Sequence, residues 1–181
     1  MEADMLTVAV ALGANLGDPP ATLRWARAEL ITHLPSLGAR GLRFSRLWRT
    51  EPVGPPQPRY LNAALAFQAP STTDPLALLA LLHDLERRAG RVRAERWGPR
   101  VLDLDLITVG ALRCALPNLT LPHPHAHERP FVLWPLLDAW PEAWLPVVGA
   151  VRPLATALGR QGALPITPDD NWDRLDPDPL P

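Results

Sequence analysis

The stretch LTVAVALGANLGDP, residues 6–19, decides the fold class. Leu6 to Leu12 is short, apolar and β-rich, the pattern of a buried strand. Gly13 to Gly17 reads as a turn. Asp18 then stands where an N-cap belongs, with Pro19 at the first helical position, where its missing N–H costs nothing. A helix is expected to about His33, with Leu23, Ala26, Arg27, Leu30 and Leu34 on its inner stripe. The same strand-then-capped-helix device returns downstream. Tyr60 to Gln68 reads as a strand, and Asp74-Pro75 opens a second helix with apolar residues through Leu85. That helix is expected to end near Gly90, whose missing Cβ suits a left-handed cap.

The remaining segments fit between and after these units. Arg43 to Trp48 alternates like a strand, and residues 50–59 form a proline-stiffened loop. An arginine-rich loop at 91–100 leads to a strand at 101–109. A proline-rich segment at 117–124 precedes a helix from about Arg129 to Ala139. The order is β-α-β-β-α-β with a C-terminal helical extension. It predicts an α+β fold, a ferredoxin-like sandwich. One domain is expected over 1–164, followed by a proline-rich, acidic, loosely ordered tail over 165–181.

Composition narrows the function classes. The chain has 181 residues, 47% apolar and 20% charged, as in a soluble globular protein. Net charge is −1, so no bulk electrostatic signature of a nucleic-acid binder exists. All 18 Lys and Arg positions are arginine, so any cationic site is built from guanidinium forks. The single cysteine, Cys114, excludes an internal disulfide and a cysteine-based zinc site. The N-terminal apolar run reads as neither a signal peptide nor a membrane span. A cytoplasmic protein is expected.

Three constellations carry chemistry. In VLDLDL, residues 101–106, strand alternation puts Asp103 and Asp105 on one side, with Leu102, Leu104 and Leu106 towards the core. Two carboxylates roughly 7 Å apart along a strand repel unless a cation lies between them. Magnesium fits, because it is held by few carboxylates, several waters and substrate phosphates. An ordinary half-exposed strand is the plain alternative. In GRVRAERWGPR, residues 90–100, Arg91, Arg93, Arg96 and Arg100 crowd together. Guanidinium forks grip phosphate oxygens bidentately, and Trp97 can stack or serve as a lid. The alternative is a solvated basic loop, or one that touches an RNA backbone. In LPHPHAHERPFVLWPL, residues 121–136, His123, His125 and His127 alternate, but prolines interrupt them and no zinc-spaced partner follows. Phosphate contact by His123, with Arg129 and Phe131 near a helix start, is the better reading. Phe131 and Trp134 as plain core residues is the alternative.

With these blocks in view, the chain resembles the 6-hydroxymethyl-7,8-dihydropterin pyrophosphokinase family of the folate pathway. GANLGD at 13–18, RTEPVG at 49–54, YLNA at 60–63, GRVRAERWGPRVLDLDL at 90–106 and LPHPHAHERPFVLWPL at 121–136 carry the resemblance, in family order. It implies transfer of pyrophosphate from ATP to the pterin hydroxymethyl group, releasing AMP. It implies that Asp103 and Asp105 hold two magnesium ions. Arg91, Arg93 and Arg100 match phosphate-holding or loop-closing arginines, and Trp97 matches a lid tryptophan. His123 and Arg129 match residues on the ATP side. Tyr60 and Phe131 match two rings that sandwich the pterin, Asn62 the side chain that reads its edge, and Thr50, Pro52 and Val53 a segment offering backbone hydrogen bonds. A monomer with no nucleic-acid or membrane partner is expected. Three departures stand out: Glu51 and Pro124 replace a proline and a tyrosine of other members, and Asn118 a basic residue. An RNA-binding module is the competing class, since ferredoxin-like sheets bind RNA through exposed aromatics.

Overall fold

The computed structural model describes residues 4–52, 56–90, 99–166 and Trp172. Strand β1 spans Met5–Ala14, two residues longer at its C-terminal end than the apolar run predicts. Helix α1 spans Pro19–His33. Its cap is the expected one: Ala21 N donates to Asp18 Oδ1 at 3.0 Å. Strands β2 (Arg40–Phe44), β3 (Trp48–Thr50) and β4 (Tyr60–Pro70) follow. Helix α2 spans Pro75–Arg88, capped by Asp74, and Gly90 closes it at φ +89°. Strand β5 is Asp103–Val109, the hairpin β6–β7 is Cys114–Leu116 and Leu119–Leu121, and α3 is Pro130–Ala139. A short hairpin β8–β9 (Trp144–Leu145, Gly149–Ala150) leads to α4 (Val151–Leu158) and to β10 (Leu164–Pro165).

The main sheet runs β10-β3-β4-β1-β5, with β2 also on β4, and every pairing is antiparallel. Strand alternation gives it two buried faces. Val8, Val10 and Leu12 of β1 and Leu104 of β5 meet Leu23 and Leu30 of α1 and Leu78, Leu82 and Leu85 of α2. Ala9 of β1, Ala64 and Ala66 of β4 and Ile107 of β5 meet Val132, Leu133 and Leu136 of α3, with Ala155 of α4 behind. The alanines bring α3 close to the sheet, and the candidate site residues gather at the end where this helix begins.

The expected single strand at 43–48 is corrected: it is two strands, broken at Ser45. Phe44 faces Leu65 and Trp48 faces Asn62, so four steps on one strand oppose three on the other. That one-residue bulge reverses the phase of the alternation. Ser45 fills the break, since Ala64 N donates to its Oγ at 2.8 Å and Ser45 N donates to Ala64 O at 2.8 Å. Phe44 therefore joins the α1–α2 core, whereas Trp48 faces α3 and stacks on Trp134 at 6.3 Å. Alternation alone puts both rings on one side.

The proline-rich segment at 117–124 carries β7 and turns at Pro117-Asn118. Of the tail, only Pro165, Ile166 and Trp172 are described. Trp172 is buried at 3% exposure, and its Nε1 donates to Ser45 O at 2.8 Å. Its ring meets Phe44 edge-on at 5.5 Å, and the Arg27 guanidinium lies over both. Among the described residues, no helix is long and apolar enough to cross a membrane.

Candidate active site

A cross-strand row forms the floor of the site. Gly13 pairs with Asp103 on one side and with Asn62 on the other, and Asn62 pairs in turn with Trp48. All four positions face α3. Above them opens a cavity of about 540 Å³, walled by Tyr60, Arg100, His123, Phe131 and the loop Arg160–Gln161. Gly13 is needed for space. A Cβ there would stand 3.0 Å from Asn62 Oδ1 and 3.8 Å from the Tyr60 ring.

At one end stand the carboxylates. Asp103 is paired with Arg100 at 2.5 Å. Asp105 keeps 36% of its side-chain exposure, which opens into the cavity. Its pKa is pushed up to about 7, first by desolvation against the cavity walls, then by the charges of Asp103 and Glu86. Arg129 and Arg100 oppose the shift without cancelling it. Arg100 is held more firmly protonated than usual: burial works against its charge, but Asp103, Asp105 and Tyr60 outweigh it.

His123 faces the same carboxylate. His125 N donates to His123 Nδ1 at 3.2 Å, which leaves the neutral ring's proton on Nε2, 3.8 Å from Asp105. Burial, then the nearby Arg129 and His125, lower its pKa to about 4, so the contact is not an ion pair at neutral pH. The His123 backbone is tied down by donation to Ile107 O at 2.8 Å, where β5 carries a bulge against β1. Among the described residues no three His, Cys, Asp or Glu side chains gather as a metal-ligand set.

The other end is flat and mostly uncharged. Asn62 and Thr50 are buried, and Asn62 Nδ2 donates to Thr50 Oγ1 at 2.5 Å. Tyr60 and Phe131 supply rings, and Arg129 lies 5.8 Å over the Phe131 ring. The Tyr60 hydroxyl is held protonated above its ordinary range by burial and then by Asp103.

The family model of 7,8-dihydro-6-hydroxymethylpterin-pyrophosphokinase matches residues 9–141. The chain belongs to this family. Among similar proteins, the 2-amino-4-hydroxy-6-hydroxymethyldihydropteridine pyrophosphokinase of Pseudomonas aeruginosa is 41% identical over 140 residues, covering 77% of this chain and 83% of the relative. The enzyme of that name from Mycobacterium tuberculosis H37Rv is 38% identical over 164 residues, covering 85% and 83%. The crystal structure of wild-type Plasmodium falciparum HPPK-DHPS has a TM-score of 0.60 at 13% identity. It shares the fold with 86% of this chain, which spans 45% of that one.

Of the residues singled out from the sequence, the family fold brings Thr50, Tyr60, Asn62, Arg100, Asp103, Asp105, His123, Arg129 and Phe131 around one cavity. Pro52 is described and does not line it, whereas the neighbouring Glu51 does. Val53, Arg91, Arg93, Arg96 and Trp97 lie outside the described residues.

Several residues of the site escaped the sequence reading. Asn15, read as part of a turn, is buried, with Nδ2 donating to Gln57 Oε1 (3.0 Å) and Pro58 O (2.9 Å). Its Oδ1 accepts from Arg100 N at 2.8 Å. One amide thus ties the loop before Tyr60 to the residue that pairs with Asp103. Glu86, buried on α2, accepts from Leu104 N at 2.8 Å between the two aspartates. Arg160 and Gln161 come from beyond the matching blocks. Asn15 lies inside the GANLGD block, yet no local pattern names the role of these residues, because their partners are far away in sequence. For Asn15→Ala we expect about 2 kcal/mol of lost stability from orphaned buried groups. Urea unfolding measures that loss, and kcat/KM should fall for both substrates because both ends of the cavity loosen.

Proposed function

We propose that this cavity binds hydroxymethyldihydropterin and the ATP triphosphate side by side and transfers pyrophosphate from ATP to the pterin hydroxyl, releasing AMP, a step of folate biosynthesis. The family supplies the reaction. The observation that carries the siting is the floor row, with carboxylates at one end and a buried amide–hydroxyl pair at the other.

The flat pterin lies between Tyr60 and Phe131, where stacking grips both faces. Asn62 reads its edge with a donor and an acceptor, and Thr50 fixes the amide. Thr50, Pro52 and Val53 remain the proposed source of backbone hydrogen bonds to the same edge. Arg100, His123 and Arg129 meet the triphosphate, together with Arg91, Arg93 and Trp97 from the preceding loop. His123 offers an N–H donor from a ring that is neutral above about pH 4. The transfer is an in-line displacement at phosphorus and needs no enzyme nucleophile, only alignment and charge neutralisation.

The residues present fit magnesium. Two carboxylates stand side by side on one strand face, and both line the cavity. Asp103 and Asp105 would hold two ions, which would neutralise phosphate charge and make the substrate hydroxyl more acidic. Arg100 already engages Asp103, so it screens the pair from one side while its remaining donors meet the phosphates.

A ferredoxin-like split β-α-β belongs to this proposal. The strand order β5-β1-β4, with β2 and β3 both paired to β4 beyond it, supports it, and so do both helices α1 and α2 on one face. A domain over 1–164 with a tail over 165–181 belongs to it too, with β10 straddling that boundary. So does a monomeric cytoplasmic enzyme, and the single free cysteine, Cys114, suits a reducing compartment. The RNA-binding alternative loses its physical basis, because the sheet face that would stack bases is covered by α3 and rich in alanine.

Following AMP in a purified reaction tests the function. AMP should appear only with both ATP and the hydroxymethyl pterin, in equal amount to the pterin diphosphate. ADP as the product, or AMP release indifferent to the pterin, would overturn it.

A further inference from the structure

The floor row does not end at Asn62. Beyond Asn62 it continues to Trp48 on β3 and to Pro165 on β10. Adjacent strands lie about 4.8 Å apart, so Trp48 stands three strand steps, about 14 Å, from Asp103. On that ring sits a cation. The Arg160 guanidinium lies 5.7 Å from the Trp48 ring centre and 5.4 Å from that of Trp134.

The mounting is built rather than incidental. Trp48 Nε1 donates to Asp138 Oδ2 at 2.9 Å, and Arg46 grips the same carboxylate with two bonds of 3.0 Å. Trp134 Nε1 donates to Gly159 O at 3.0 Å, which anchors the backbone just before Arg160. β10 then closes the segment onto the sheet edge. A guanidinium held against two fixed indoles has surrendered much of its rotamer freedom before any ligand arrives, so less is lost when it binds. No ion pair to it is found among the described residues, and Glu51, an acid lining the same cavity, is engaged by Arg59 at 2.7 Å.

We propose that Arg160 is a specificity residue for the heterocycle, donating to the carbonyl of the pyrimidine ring, the ring remote from the hydroxymethyl group. This rests on the pterin end assigned above. With the hydroxyl directed to Asp103 and Asp105, the far edge of the bicycle points along the row towards Arg160. The pyrimidine ring at that end carries its carbonyl beside the ring N–H and the exocyclic amine, and the carbonyl is the acceptor suited to a guanidinium donor.

The test uses the full chain and equilibrium binding of 6-hydroxymethylpterin and of its 2,4-diamino counterpart, followed by tryptophan fluorescence. Arg160→Met keeps the stem over the indoles and removes the donors. It should weaken the pterin about tenfold, leave the diamino compound unchanged and leave the KM for ATP unchanged. Arg160→Lys should recover part of the loss. Asn62→Ala is measured beside it. If Asn62→Ala weakens the pterin and Arg160→Met does not, the role of Arg160 is overturned and the pterin end stands. If neither variant weakens it, both fall. An equal loss for pterin and ATP in Arg160→Met would overturn specificity in favour of a general packing role.

Discussion

Asp105→Asn should abolish transfer while making the unliganded protein more stable above neutral pH. The loss of activity should be at least about a thousandfold, or about 4 kcal/mol of barrier. The substitution removes charge from the pair at the phosphate end and keeps the shape. The stability gain follows from the raised pKa. Asp105 is held near 7 in the fold and near 3.8 in the unfolded chain, so between those values the fold binds the proton more tightly. Native stability is therefore full below the unfolded pKa and is lost as the pH rises through about 7. The amide does not titrate. Its melting temperature, measured without magnesium or nucleotide, should match wild type near about pH 4 and exceed it near about pH 8. A variant that melts lower at the alkaline end, or still turns over with magnesium present, would refute the assignment.

Trp172→Ala should cost the most stability of any tail substitution. The indole is buried, bonds the Ser45 carbonyl and packs on Phe44 under Arg27. Removing a buried tryptophan costs about 3–5 kcal/mol, because a cavity replaces dispersion contacts. For a chain of this size that lowers the melting temperature by about 10 °C. Trp172→Phe keeps the ring contact and loses only the hydrogen bond, at about 1 kcal/mol. Thermal denaturation of both variants separates the two contributions. A melting point unchanged in Trp172→Ala would show that residue 172 does not belong to the core.

The site was legible where local rules operate. The spacing of Asp103 and Asp105 and the phase of Leu102, Leu104 and Leu106 follow from strand alternation, and the cavity contains both acids with the leucines beneath. The caps at Asp18 and Asp74 follow from side chains too short to reach anything but the first turn. The break at Ser45 was not legible. Two polar residues in a row, Ser45-Arg46, interrupt the alternation in RFSRLW, but the bulge itself exists only because both halves pair with one partner strand. Asn15, Glu86 and Arg160 were missed for a related reason. Each acts through contacts whose sequence separation no local pattern encodes.

By itself the sequence determined the order of elements, their caps and the pairing of acids with arginines near one strand, because these depend on neighbours a few residues apart. Only the tertiary structure decided that Gly13 clears the floor between Asp103 and Asn62 and that Trp48 faces α3. It alone set a cation from the chain's end at the far edge of that floor. Those facts depend on register and on a one-residue bulge, which strands acquire only when they pair.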